Sequence, residues 1–159
     1  MIKFLQIFYL LALSLWTGGM VYFSAFLAPM AFRHLAKEIA GEFVGVLFPT
    51  YYHIGYSLGG VMLIATVLET MIYREAHWFR MIAIVIMLGC SFYAGVKILP
   101  QTHQIKQELK TLAEQPSELA QTKQATFRRL HRQAVILNGI TLLLGISLII
   151  CFAIHKNNP

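Results

Sequence analysis

The sequence contains no aspartate, and charged residues of all kinds make up only 13% of its 159 residues. A soluble domain carries about 25% charged residues. Here 57% of the chain is hydrophobic. The composition therefore excludes an ordinary soluble globular domain and indicates a membrane protein.

Cysteines and catalytic motifs are also scarce. The two cysteines, Cys90 and Cys151, both lie inside apolar runs, which argues against a disulfide framework. The sequence has no nucleophile motif, phosphate-binding loop or zinc signature, so it offers no recognisable catalytic set. The net charge of +6 comes from basic residues that flank the apolar runs. We attribute that charge to membrane topology and not to nucleic-acid binding.

Four apolar runs are each long enough to cross a bilayer. They cover about residues 4–27, 49–73, 79–99 and 131–154 of a chain that we interpret as one domain, 1–159. Lipid offers no partner to unpaired backbone groups, so all four runs must be helices. The predicted fold class is all-α, a four-helix transmembrane bundle. Its first run exceeds a signal-peptide core in length and is interpreted as an uncleaved span.

The connections between the spans differ in length. A short turn joins the second span to the third. The segment between the first and second spans predicts an amphipathic helix, lying against the bundle or in the headgroup layer. Its apolar residues recur at helical spacing: Phe32, Leu35, Ile39, Phe43 and Val46.

About 30 polar residues, 101–130, separate the third span from the fourth. They predict two helical pieces broken at Pro116, with Ser117 as the N-cap of the second piece. That second piece continues without a breaker into the fourth span. We therefore expect a helical extension outside the membrane and one long helix from near Ser117 to near Ile154.

Both long connections lie on one membrane side, here called the connection side, and both termini lie on the other, the terminus side. Nine of the 13 basic residues belong to the connection side and four to the terminus side. The positive-inside rule then places the connection side in the cytoplasm. Both termini are predicted to be non-cytoplasmic, in a plasma membrane or bacterial inner membrane.

Polar residues are concentrated where the spans meet the connection side. The antiparallel order brings the start of the second and fourth spans to the end of the third. Asn138 lies two helical turns beyond His131 on the same face. We predict that one site at this mouth binds a ligand or cofactor, and that its residues are His53, Lys97, Arg128, His131, Arg132 and Asn138.

The chemistry of these residues leaves two interpretations open. Neutral imidazoles suit haem iron and divalent metals, so His53 and His131 are candidate metal ligands, and the cations suit propionates or another small anion. The chain would then bind or transport such a ligand. Alternatively, the histidines brace helix ends at the interface. The protein is then structural, and residues 101–130 dock a membrane partner protein or a second copy in the lipid bilayer.

Two prolines and two glycines have predicted structural roles. Pro49 is expected in the first turn of the second span, where its missing N–H has no effect, and Pro100 follows the third span. Gly55 and Gly59 have the small-xxx-small spacing that permits close helix contact.

Buried polar side chains are also expected to find partners. An imidazole one turn inside the membrane needs a hydrogen bond, so we expect His53 to point into the bundle, towards the fourth span, and His131 to point inwards as well. On this basis His53→Ala destabilises the protein more than Tyr52→Ala. Glu69, near the end of the second span, is expected to pair with Arg74 or Arg80.

The stretches LFPTYYHI, ILPQTH and FRRLHRQAVILNG resemble the transmembrane-protein-205-like family, small polytopic membrane proteins with no firmly assigned activity. The family's Phe-Pro-x-Tyr-x-His-Ile pattern falls on Phe48–Ile54. Its later proline falls on Pro100, and its histidine and asparagine fall on His131 and Asn138. The resemblance implies that His53, Pro100, His131 and Asn138 form one site.

A looser similarity links LSLWTGGMVYFSAFLAP to CopD-type copper-resistance proteins and HemJ-type haem-binding protoporphyrinogen oxidases. At the position of the haem-ligand histidine in the HemJ-type pattern this chain has Tyr9, so that ligand is not carried over.

Overall fold

A computed structural model of the chain describes residues 2–74, 77–112 and 118–156. Of these described residues, 97% are helical and none belongs to a strand. The predicted all-α fold class is confirmed. Pro116 and Ser117, predicted as a helix breaker and an N-cap, lie outside the described residues.

The helices follow one another with few interruptions. In chain order they are α1 (Ile2–Val21), a π-helical turn (Tyr22–Leu27), α2 (Ala28–His34), α3 (Lys37–Tyr73), α4 (Trp78–Tyr93), a second π-helical turn (Ala94–Ile98), α5 (Leu99–Thr111) and α6 (Glu118–Lys156). The long final helix predicted from the sequence is α6.

Four continuous helical stretches are long and apolar enough to cross a membrane: Lys3–His34, Lys37–Tyr73, Trp78–Thr111 and Glu118–Ile154. In the bundle, α1 packs against α3, α3 against α4, α4 against α6, and α6 against α1. The four spans therefore form a closed ring, with α1 diagonal to α4 and α3 diagonal to α6. This is the predicted four-helix bundle.

The amphipathic segment between the first two spans is helical, as predicted, but it is divided between them. Leu35 has an extended backbone, with φ −112° and ψ 154°, and Ala36 caps α3. The residues before Leu35 extend the first span, and the residues after Ala36 form the first turns of α3. Because α3 begins at Lys37, Pro49 lies inside a helix and not in its first turn, which corrects the prediction for Pro49.

Two of the prolines explain the two π-helical turns. Pro29 and Pro100 each lie two residues after the last residue of such a turn, towards the connection-side end of spans one and three. A proline ring has no N–H and collides with the carbonyl of the preceding turn, so the helix must widen there. The same local feature therefore occurs in both spans, and the helix continues beyond it.

In the bundle core an indole packs closely against two glycines. A carbon added at Gly55 would lie 3.0 Å from Trp16 Nε1, and one added at Gly59 would lie 2.8 Å from Trp16 Cζ3. Trp16 of α1 thus lies directly on the backbone of α3, because neither glycine carries a side chain. The close contact joins two spans of the same chain.

Candidate functional site

Aromatic rings line the connection-side mouth of the bundle. Phe23 of the first π-helical turn lies 4.9 Å from the ring of Tyr51, which lies 5.2 Å from Tyr52. The ring of Tyr52 packs 6.4 Å from Tyr56. Gly95 makes this stack possible, since a carbon added there would lie 2.9 Å from Tyr52 Cγ. Aromatic side chains favour the membrane boundary, where the ends of the spans are expected to lie.

Asn138 of α6 meets this aromatic cluster across the diagonal of the bundle. The Tyr51 hydroxyl donates to Asn138 Oδ1 at 3.4 Å, a long hydrogen bond, and the Tyr52 hydroxyl lies near the same amide. The half-buried Asn138 side chain is therefore held at the mouth by both tyrosines, as acceptor from the Tyr51 hydroxyl and as partner of the Tyr52 hydroxyl.

His53 satisfies its hydrogen-bonding needs within its own helix. Its Nδ1 lies 2.6 Å from the Pro49 carbonyl oxygen, and the edge of its ring faces Tyr56 at 5.9 Å. The side chain is exposed on the outside of the bundle. The expectation that it points inwards is wrong, because the buried face of α3 runs through Tyr52 and Gly55, and His53 is rotated well away from that face.

His131 is exposed as well, so the expectation that it points inwards is also wrong, and its ring stacks on Phe127 one turn earlier at 6.4 Å. Neither imidazole contacts the other, and the described residues include no group of three or more His, Cys, Asp or Glu able to hold a metal. The joint role of His53 and His131 as ligands stays a prediction.

The predicted cations lie around the mouth without acidic partners. The ammonium group of Lys97 lies 5.5 Å from the centre of the Tyr93 ring. Arg128 and Arg132 are exposed and make no ion pair within the described part of the chain. The ion pairs on this side belong to other lysines: Lys110 with Glu42, and Lys123 with Glu108 at 2.6 Å.

A second polar cluster lies at the terminus-side end of the bundle. Arg80 of α4 donates to Glu69 of α3 at 2.6 Å, which confirms one of the two partners predicted for Glu69. Gln6 Nε2 donates to the other oxygen of Glu69 at 2.9 Å, and the Arg80 guanidinium lies 4.5 Å from the centre of the buried Tyr9 ring. Sequence reasoning missed Gln6 and Tyr9, although they lie three residues apart on one face of an apolar helix.

Comparison of the chain with curated proteins and with solved structures gives no match. A family of uncharacterised proteins does match, over residues 11–111. That stretch includes Trp16, the tyrosine cluster and Lys97, whereas α6, with Arg128, His131 and Asn138, lies beyond it. Because the match covers well over half of the sequence, the chain belongs to the family described as a domain of unknown function, DUF4149.

Proposed function

We propose that this membrane protein binds a small anionic ligand at the connection-side mouth of the bundle. The observation that carries the proposal is a set of three exposed cations that make no ion pair within the described part of the chain: Lys97, Arg128 and Arg132. The two arginines precede Asn138, which the mouth tyrosines hold in place, on the same helix. Cations without acidic partners favour an anion over a neutral ligand.

Partial burial of the Asn138 amide strengthens its interaction with a charged ligand. Asn138 is half-buried among rings, where water screens charge less than it does at an open surface. Arginine side chains suit carboxylate and phosphate groups because their guanidinium forms two parallel hydrogen bonds.

Haem is one candidate anion, and His53 is its candidate iron ligand. Donation from His53 Nδ1 to the Pro49 carbonyl would leave Nε2 free and outward, the arrangement that ligating histidines commonly adopt. The cations would then meet the propionates. A divalent metal fits less well, because such an ion usually takes about four protein or water ligands. Among the described residues, the predicted site supplies two imidazoles that do not contact each other.

We also infer kinship with the transmembrane-protein-205-like family. The Phe48–Ile54 pattern supports it, and so does the conjunction of Pro100 with His131 and Asn138 in one chain. The inference would fail if an alignment of DUF4149 sequences placed different residues at these positions.

The anion proposal is tested with a double variant, Arg128→Gln/Arg132→Gln, and with Asn138→Leu. We expect purified wild-type protein to bind pyrophosphate or haemin saturably, and both variants to bind at least about tenfold more weakly, since a charged hydrogen bond contributes about 1.5–3 kcal/mol. Isothermal titration and the haemin absorbance band measure this. The matched control is Arg33→Gln/Arg129→Gln, which removes the same charge from exposed positions of the same side.

Equal weakening by the control would mean non-specific attraction to a basic surface and would contradict the proposal. Binding of neither probe by the wild type would favour the alternative function, a docking platform formed by residues 101–130. One observation favours that alternative: the Lys123–Glu108 ion pair links α5 to the first turns of α6.

We further propose that the connection side faces the cytoplasm, as the distribution of basic residues favours. In a background without Cys90 and Cys151, a cysteine at Lys3 should react with an impermeant maleimide added to intact cells. A cysteine at the exposed Leu119 should react only after the membrane is opened. The reverse pattern would show the opposite orientation, and labelling of both from outside would contradict the four-span topology.

A further inference from the structure

We infer that an apolar groove between α1 and α3 holds an acyl chain of an anionic phospholipid, so that the ligand of the mouth is a lipid. The inference rests on the proposed function for its anionic part. The groove has a volume of about 230 Å³. Its walls include Leu15 and Leu27 from the first span and Leu47 and Ile54 from α3.

The dimensions suit a hydrocarbon chain. From Leu15 to Leu27 the first span advances by roughly 18 Å, at about 1.5 Å per residue. One leaflet contributes roughly 15 Å of a hydrocarbon core about 30 Å thick. The groove therefore runs through about the depth of the connection-side leaflet, where acyl chains lie.

The groove exists because one position in its wall has no side chain. Gly19 lines it, and a carbon added at Gly19 would meet no atom within 4 Å. On either side of Gly19, Leu15 is 63% exposed and Tyr22 is 62% exposed. Both side chains are exposed on the outer surface of the bundle, so the groove opens towards the surrounding membrane and a lipid can enter it from the side.

The groove and the mouth share two residues, Phe23 and Tyr51. Tyr51 lines the groove with its ring, and its hydroxyl reaches Asn138 at the proposed anion site. A lipid whose chain lies in the groove would bring its headgroup to the connection side, which carries the surplus of basic residues. Basic residues next to a membrane attract anionic lipids, so charge complementarity selects an anionic headgroup.

The test compares two neighbouring glycines. Gly18 and Gly19 are both exposed and both have open space for a side chain, but only Gly19 lines the groove. We expect native mass spectrometry of the wild type and of Gly18→Leu to show preferential retention of phosphatidylglycerol over phosphatidylcholine with the same chains. Gly19→Leu fills the groove and should lower retained phosphatidylglycerol at least about tenfold, because the leucine side chain takes the place of several acyl-chain methylenes.

Equal retention by Gly18→Leu and Gly19→Leu would overturn the groove assignment. Equal retention of the two lipids by the wild type would show that the protein does not select an anionic headgroup. Titration of Gly19→Leu with pyrophosphate separates the two proposals, since a soluble anion does not use the groove. If Gly19→Leu binds pyrophosphate normally and retains as much phosphatidylglycerol as the wild type, the lipid inference alone is wrong. If the wild type itself does not bind pyrophosphate, the proposed function is wrong.

Discussion

An Arg80→Leu variant is expected to lose about 3–5 kcal/mol of unfolding free energy, as proteins do when one partner of a buried ion pair is removed. The Arg80 side chain is 16% exposed and that of its partner Glu69 only 7%. Without the guanidinium, the Glu69 carboxylate would remain inside the bundle with Gln6 as its hydrogen-bond donor. Equilibrium unfolding in mixed micelles with increasing sodium dodecyl sulfate measures the loss.

The neighbouring Arg74 provides the control. It lies at the same end of the bundle, is exposed, and makes no ion pair among the described residues, so Arg74→Leu should change stability by less than about 1 kcal/mol. The double variant Glu69→Leu/Arg80→Leu should recover part of the loss, because no charge is left buried. Equal stability of Arg80→Leu and Arg74→Leu would show that the ion pair contributes little.

This cluster joins three of the four spans. Gln6 and Tyr9 come from α1, Glu69 from α3 and Arg80 from α4. The Tyr9 hydroxyl is buried and has no hydrogen-bond partner among the described residues, so the ring meets Arg80 mainly through its face. Polar groups at membrane depth normally face the bundle interior, and here they fix the register of the spans at their terminus-side ends.

The sequence was sufficient to predict the helices, because the bilayer restricts what a long apolar run can form. Four runs of spanning length could only be helices. No proline or glycine pair interrupts the sequence between Glu118 and the fourth span, which predicted the length of α6. The division of the amphipathic segment at Leu35 was not predicted, since its apolar spacing is the same whether the helix is continuous or interrupted.

The arrangement of the mouth was harder to predict than the helices that form it. Neighbouring residues on a helix differ by about 100° in direction, so Tyr52 and His53 face different surroundings although both open the same apolar run. The direction that becomes buried depends on helix packing, and here Trp16 against Gly55 and Gly59 sets the rotation of α3. That pairing of an indole with glycines from another span is a property of the folded bundle.

The same rotation reverses the expected order of two mutations at the mouth. Tyr52 is 3% exposed and packs among Phe48, Tyr51 and Tyr56, whereas His53 is exposed and bonded to its own helix. The expectation that His53→Ala is the more damaging change assumed a buried imidazole with a partner on α6. The buried neighbour of Asn138 is instead the tyrosine pair.

Tyr52→Ala is therefore expected to destabilise the protein by about 3–5 kcal/mol, the range for removing a large aromatic side chain from a core. His53→Ala removes an exposed ring and should change stability by less than about 1 kcal/mol. Tyr52→Phe, which keeps the ring and removes only the hydroxyl, separates packing from hydrogen bonding and should lose much less than Tyr52→Ala. Thermal unfolding in detergent, without haemin, ranks the three variants. A larger loss for His53→Ala than for Tyr52→Ala would mean that the imidazole is buried in the membrane-embedded protein, and would return His53 to the interior of the mouth.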